Sequence, residues 1–275
     1  MGQAKSERGP AVLAKSLRVL ETVSISQGLA LSEIARKAGL PISTAHRIVQ
    51  SLTDWGALER EQNGLYYVGL RIWEVASTAP RAHNLRDRLR PFVEDLHYAT
   101  KQNIQLAILE DDEALVVEHL TCNGPATAAR IGGRLPLHAS GVGQVLLAWG
   151  PHDVRERVIT QDLESFTPFT FADGPAMRRV LHKVRTQGYA LVDRTMPLPA
   201  VSIASPVLDA AGQCVAAIAV VLPTGTEPAP YVSGVMLAAR SASRSLSVGR
   251  PWNEVASSGS MSGPGGQQHS RKALK

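Results

Sequence analysis

The chain has 275 residues, 44% hydrophobic and 19% charged, a composition that suits a soluble protein of two domains and excludes a fibrous or wholly disordered one. The longest apolar run, Cys214 to Leu222, is far short of the roughly 20 residues a membrane-spanning helix needs, and no signal-like apolar stretch opens the chain, so the cytoplasm is expected. Two cysteines, Cys122 and Cys214, exclude a disulfide framework, and the net charge of +5 agrees with a polyanionic partner without establishing one.

Residues 1–9 read as a flexible N-terminus. Leu13, Leu17 and Leu20, at helical spacing, predict a first helix that covers the two following it. Those two are the most informative stretch. Leu31 to Leu40 and Pro41 to Leu52 are helices joined at Gly39, with Ser32 as the expected N-cap and Gly39 as the residue able to turn left-handed. In the second helix Ala45, Ile48, Val49 and Leu52 form an apolar stripe, and Ser43, His46, Arg47 and Gln50 form the opposite one.

A polar helix face is usually only solvated, but here a wing follows it. Asn63-Gly64, between Leu58-Glu59-Arg60 and Tyr66-Tyr67-Val68, is a strong hairpin signal because both residues tolerate positive φ. Residues 10–76 therefore have the layout of a winged helix-turn-helix that reads double-stranded DNA. Such a helix fits the major groove, with Arg47 suited to guanine, Gln50 to adenine, and Ser43 and Thr44 to a phosphate near the helix N-terminus; His46 completes the face. Residues 1–76 hold nine Lys or Arg against seven Asp or Glu. A monomer this weakly basic engages few phosphates, which points to a dimer on a pseudo-palindromic operator.

Further on, Gly69 to Thr78 predicts a helix, Pro80 interrupts it, and helical spacing resumes from Asn84 to Thr100. Strands are expected at Ile104–Leu109, Leu115–Leu120 and Ala126–Ile131, then helices at Ser140–Trp149 and His152–Thr160. A helix at Pro175–Gln187, strands at Tyr189–Val192, Val201–Leu208 and Cys214–Leu222, and a helix around Tyr231–Leu246 follow. Hairpin connections dominate, so residues 77–250 read as an α+β domain with an antiparallel sheet flanked by helices. The Ser, Gly and Gln stretch of residues 251–275 reads as a disordered tail.

Three segments in order carry a resemblance to a known family: Leu31 to Leu52 with the wing ending Tyr66-Tyr67-Val68-Gly69-Leu70-Arg71; Gly132-Gly133-Arg134-Leu135-Pro136-Leu137-His138-Ala139-Ser140-Gly141-Val142-Gly143-Gln144; and Thr167-Pro168-Phe169-Thr170 through Gly188-Tyr189 to Ala204-Ser205-Pro206-Val207. Over some 230 residues the chain resembles the IclR family of bacterial transcription regulators. The resemblance implies a winged helix joined by a linker helix to a GAF-like effector domain, assembled as a homodimer or dimer of dimers. Members repress or activate genes in response to a small organic molecule, so the sign is open. The effector positions it implies fall at Thr127, Ala128, Arg130, Gly141, Val142, Asp193, Ser202, Ala219 and Val221.

Departures from the family pattern shape the expected ligand. Thr195 and Pro199 replace an acidic residue and a glycine, and Ala219 and Val221 stand at positions often polar. A tiny keto acid would lack partners in such a pocket, and burying it unpaired costs several kcal/mol. An aromatic or longer-chain organic acid, anchored by the amides of Gly141 and Val142, is expected instead. The wing tip, Asn63-Gly64-Leu65, lacks the basic residue often found there.

Other chemistries fare worse. Gly141-Val142-Gly143 lacks the third glycine of a dinucleotide loop, its place taken by Leu146, and Ser140 lacks the flanking glycines of a nucleophile elbow and is better placed to cap a helix. His119, Cys122 and His138 offer no paired metal-ligand motif. Arg134 and His138 are either pocket groups or structural hydrogen-bond donors. No catalytic residue, metal or cofactor is expected; the alternative from another class is a small-molecule enzyme, or a pure sensor module, with a degenerate DNA-binding domain.

Overall fold

The computed structural model describes residues 8–77, 80–122, 129–171 and 173–247. The chain divides between Ala79 and Pro80 into two compact units, three residues beyond the boundary expected at 76/77. The expected tail, the start of the N-terminal segment and residues 126–128, half of the strand predicted at 126–131, lie outside the described residues. None of the helices among the described residues is long and apolar enough to cross a membrane.

The first unit runs α1 (Arg8–Ser24), α2 (Leu31–Lys37), α3 (Ile42–Trp55), β1 (Leu58–Arg60), β2 (Tyr66–Val68) and α4 (Leu70–Ala76). Its core joins Val19 and Val23 of α1 to Ile34, Ala38, Ile48, Val49 and Leu58. The face of α1 differs from the one expected. Leu20 is partly buried, but Leu13 and Leu17 are 61% and 51% exposed, because Val19 and Val23, four apart, take the inward stripe.

The cap of α2 also differs. Ala30 is the N-cap and Ser32 lies inside the helix, exposed; Glu33 does the capping, accepting from the Ala30 amide at 3.1 Å. At the other end Gly39 has φ +63°, and the Leu40 and Gly39 amides bond back to the carbonyls of Ala35 and Arg36, the paired bonds of a glycine C-terminal motif.

The second unit begins with α5 (Pro80–Thr100), which starts at Pro80 rather than resuming at Asn84; proline suits a first helical turn, where its missing N–H has no partner to lose. Then come β3 (Asn103–Glu110), β4 (Glu113–Leu120), β5 (Arg134–Pro136), α6 (Gly141–Trp149), α7 (His152–Thr160), α8 (Gly174–Gln187), β6 (Ala190–Asp193), β7 (Ala200–Leu208), β8 (Cys214–Pro223) and α9 (Ala229–Ser247). Residues 129–131 carry no strand; the edge strand is Arg134–Pro136.

The strands form one antiparallel sheet in the order β5-β4-β3-β8-β7-β6. Alternation along each strand separates two cores. On one face Ile104, Leu106, Ile203, Ile218 and Val220 pack with Leu85, Leu89 and Val93 of α5 and Val235 and Ala239 of α9. On the other Ala107, Ala204, Ala217 and Ala219 pack beneath α6 and α8, through Val142, Val145, Leu146, Met177 and Leu181. Small residues on the strands let α6, itself almost wholly buried, lie close to the sheet. Arg86 of α5 pairs with buried Glu118 of β4 at 2.9 Å, fixing that helix to the sheet.

Candidate functional site

The first unit presents a helix face. Pro41 is the N-cap of α3, Gly56 ends it with φ +87°, and Ala45, Ile48 and Val49 are buried. Ser43, His46, Arg47 and Gln50 are exposed on the opposite side, and Thr44 is half-buried at its margin. The Gln50 amide donates to Asp54 Oδ1 at 2.7 Å, whereas the Arg47 guanidinium has no partner among the described residues. Ile42, in the first turn, is 54% exposed and extends this face with an apolar group. Periodicity does not single it out, since an isoleucine is read as core unless its exposure is known.

The wing is a three-residue loop between Glu61 and Leu65: the Glu61 amide bonds Leu65 O, and the Gly64 amide bonds Glu61 O. Gly64 alone of the Asn-Gly pair has positive φ, at +80°; Asn63 instead accepts from the Leu65 amide. A cation does reach the wing: the Arg60 Nε donates to Gly64 O at 3.4 Å, from a strand position that inspection of the tip alone overlooks.

The second unit holds a cavity between the N-terminus of α6 and the sheet, with about 490 Å³ free of protein atoms and partly open to solvent. Gly141, Ser202 and Val221 line it. Of the other expected positions, Val142 and Ala219 are packed into the core beneath α6, Arg130 is exposed outside the lining, and the Asp193 carboxylate is engaged by Arg194 at 2.9 and 3.1 Å. Val142 misses the cavity because the residue after Gly141 turns about 100° round the helix. Thr127 and Ala128 lie outside the described residues.

Gln105, Leu135, Val192, Met196 and Leu198 also line the cavity, as do Ser140 and Thr195. Only the fold could bring β3, β6 and the loop after β6 to one place. The Thr195 hydroxyl is committed, donating to Ala139 O at 2.6 Å. The Ser140 hydroxyl donates to Pro136 O at 2.8 Å and accepts from the Gly143 amide at 3.1 Å, capping α6. Gly141 and Val142, the first residues of that helix, have amides with no acceptor within it. The lining is otherwise mainly apolar and holds no charged side chain among the described residues.

His138 and Arg134 both do structural work. His138 is buried, its Nε2 2.9 Å from Glu164 O and its ring stacked on Phe166; Arg134 bonds Glu110 O and the Glu113 carboxylate. His138 and Ser140 thus form no nucleophile–base pair. Among the described residues no group of three or more His, Cys, Asp or Glu could hold a metal, and burial depresses the His119 imidazole below its ordinary value.

A winged helix-turn-helix followed by a separate α+β domain with its own small-molecule cavity defines a one-component DNA-binding regulator. Residues 12–62 match the IclR helix-turn-helix domain and residues 78–248 the bacterial transcriptional regulator IclR C-terminal domain, so the chain belongs to the IclR family of transcriptional regulators. It is 32% identical to the HTH-type transcriptional regulator BhcR of Paracoccus denitrificans, over 90% of this chain and 89% of that one. It is 29% identical to the transcriptional repressor IclR of Escherichia coli, over 79% and 85%. An IclR homologue of Microbacterium hydrocarbonoxydans, solved in complex with 4-hydroxybenzoate, superimposes with a TM-score of 0.79 at 35% identity, covering 86% of this chain and 98% of that one.

Proposed function

We propose that this regulator binds a small aromatic carboxylic acid in the cavity beneath α6, and that this changes its hold on an operator. The observation that carries the proposal is the pairing of a mainly apolar lining with amides at Gly141 and Val142 that have no partner among the described residues: the lining suits a ring, and a helix N-terminus suits a carboxylate. The Microbacterium homologue's ligand, 4-hydroxybenzoate, is of that chemistry.

At the DNA, Arg47 reads guanine and Ser43 and Thr44 hold a phosphate. Ile42 meets a thymine methyl, and His46 and Gln50 complete the contacts, Gln50 after leaving Asp54. Two copies act together on a pseudo-palindromic site, which doubles the phosphate contacts of a weakly basic domain. Regulation is linkage: the ligand shifts operator affinity only by its differential affinity for the two arrangements of the dimer. The protein has no catalytic role and works in the cytoplasm.

Fluorescence anisotropy with a labelled fragment of the adjoining promoter, at two salt concentrations and with or without 4-hydroxybenzoate, tests this. Specific binding should weaken steeply with salt and shift with the acid. Operator binding indifferent to every aromatic acid tried would remove the ligand class.

A further inference from the structure

Among the described residues four polar side chains line the cavity: Gln105, Ser140, Thr195 and Ser202. Those of Ser140 and Thr195 are committed to the protein itself. Gln105 is 6% exposed as a residue, and its side-chain amide has no hydrogen-bond partner among the described residues but keeps some solvent access at the cavity wall; the Ser202 hydroxyl is likewise without a partner among them. An amide without a protein partner at a cavity wall is hydrated until a ligand takes the water's place, and covering it without a new partner is costly.

The two free groups sit apart. Gln105 of β3 lies level with Ala219 of β8 and Ala204 of β7, while Ser202 lies two residues along β7 from Ala204. Two strand spacings across and two residues along separate their Cα atoms by on the order of 12 Å. Ser202 abuts the start of α6: its Oγ would be 2.6 Å from a Cβ on Gly141. The anion-binding end of the cavity is therefore Ser202 with the α6 amides, and Gln105 faces the space from beyond it.

We infer that Gln105 is a specificity-determining residue, selecting ligands with a second hydrogen-bonding group opposite the carboxylate, such as a ring hydroxyl. A hydroxyl both donates and accepts, as does a glutamine amide, so either orientation of the amide is satisfied. An unsubstituted ring would leave the amide buried and dry, and sites of this kind reject the analogue lacking the polar group far more strongly than a methylene-sized misfit is rejected. This inference rests on the cavity being the effector site.

Isothermal titration of the full-length protein with 4-hydroxybenzoate and with benzoate tests it. The wild type should prefer the hydroxylated acid by at least about tenfold, and Gln105→Leu should bring the ratio of affinities close to one. If Gln105→Leu melts below the working temperature, Gln105→Met, unbranched like glutamine, is titrated in its place. An unchanged ratio in a folded variant overturns the role of Gln105, as does a wild type that shows no preference. Ser202→Ala separates the two levels: if both acids bind but neither weakens in Ser202→Ala or Gly141→Ala, the cavity is not the effector site. If neither acid binds the wild type, the proposed ligand class falls, and this inference with it.

Discussion

Ser202 Oγ occupies the space where a side chain on the first residue of α6 would have to go: a Cβ on Gly141 would stand 2.6 Å from that oxygen and 3.1 Å from Ser202 Cβ. The close approach sets the Ser202 hydroxyl beside the N-terminus of α6, whose Gly141 and Val142 amides have no acceptor within the helix. Gly141→Ala should force the serine hydroxyl out of place and put a methyl group in the carboxylate's path. Ligand affinity should drop at least about tenfold, the cost of one lost charge-assisted hydrogen bond, while operator binding without ligand is retained. Titration and anisotropy on the same preparation check both; full ligand affinity in a folded variant would place the carboxylate elsewhere.

What is legible in the sequence and what is hidden divide along the range of the interactions. The glycine turn at Gly39, the apolar and polar stripes of α3, the wing and the Ser140 cap are local, set by residues within a few positions of each other, and can be read from spacing. The inward face of α1 cannot, because leucines and valines compete for it, and packing rather than propensity chooses Val19 and Val23. The cavity is half legible: Gly141, Ser202 and Val221 follow from the family resemblance, but Gln105 reaches it only because β3 pairs with β8, over a hundred residues away. Nothing local announces such a contact.

Arg47 is exposed and without a partner among the described residues, whereas neighbouring Gln50 is already engaged by Asp54 at 2.7 Å. The two should therefore differ in effect. Arg47→Ala should cost about 1–3 kcal/mol of discrimination at one base pair and leave the melting temperature almost unchanged, because the side chain is exposed and has no hydrogen-bond or ion-pair partner among the described residues. Gln50→Ala should cost less, since the wild-type amide must leave a carboxylate before it can reach a base. A panel of single-base operator variants measures both, and unaltered preferences after Arg47→Ala would reduce that residue to a phosphate contact.

Two glycines of the winged helix should respond differently to alanine. Gly39 has φ +63° but open space where a methyl group would project, so Gly39→Ala carries only the backbone penalty of a left-handed alanine, about 1 kcal/mol. Gly69 has an ordinary φ, but its Cβ would lie 2.2 Å from the Gly56 carbonyl oxygen, beside a 2.8 Å bond from its amide to Ala57 O. Backbone has to shift to admit it, so Gly69→Ala should fall at or beyond the upper end of the ~1–3 kcal/mol range for overpacking. Thermal melts of the two variants, with operator binding as a second readout, should rank Gly69→Ala clearly below Gly39→Ala; equal melts would mean that the approach of Gly69 to Gly56 is not rigid.

Cys214 opens β8 with its Sγ against the core under α6 and α8, 3.3 Å from Ala216 O, although the residue as a whole is only part-buried. Burial pushes its thiol up to about 12 from an ordinary value of 9.0. The native thiol thus stays protonated where the unfolded one ionises, and between these two values the unfolded chain binds fewer protons. Stability from this group is accordingly full below pH 9 and lost as pH rises towards 12. In a Cys122→Ser background the remaining thiol should resist Ellman's reagent at pH 8 and react on addition of denaturant, because the thiolate is the nucleophile. Fast labelling of the native protein at pH 8 would show that the start of β8 opens to solvent.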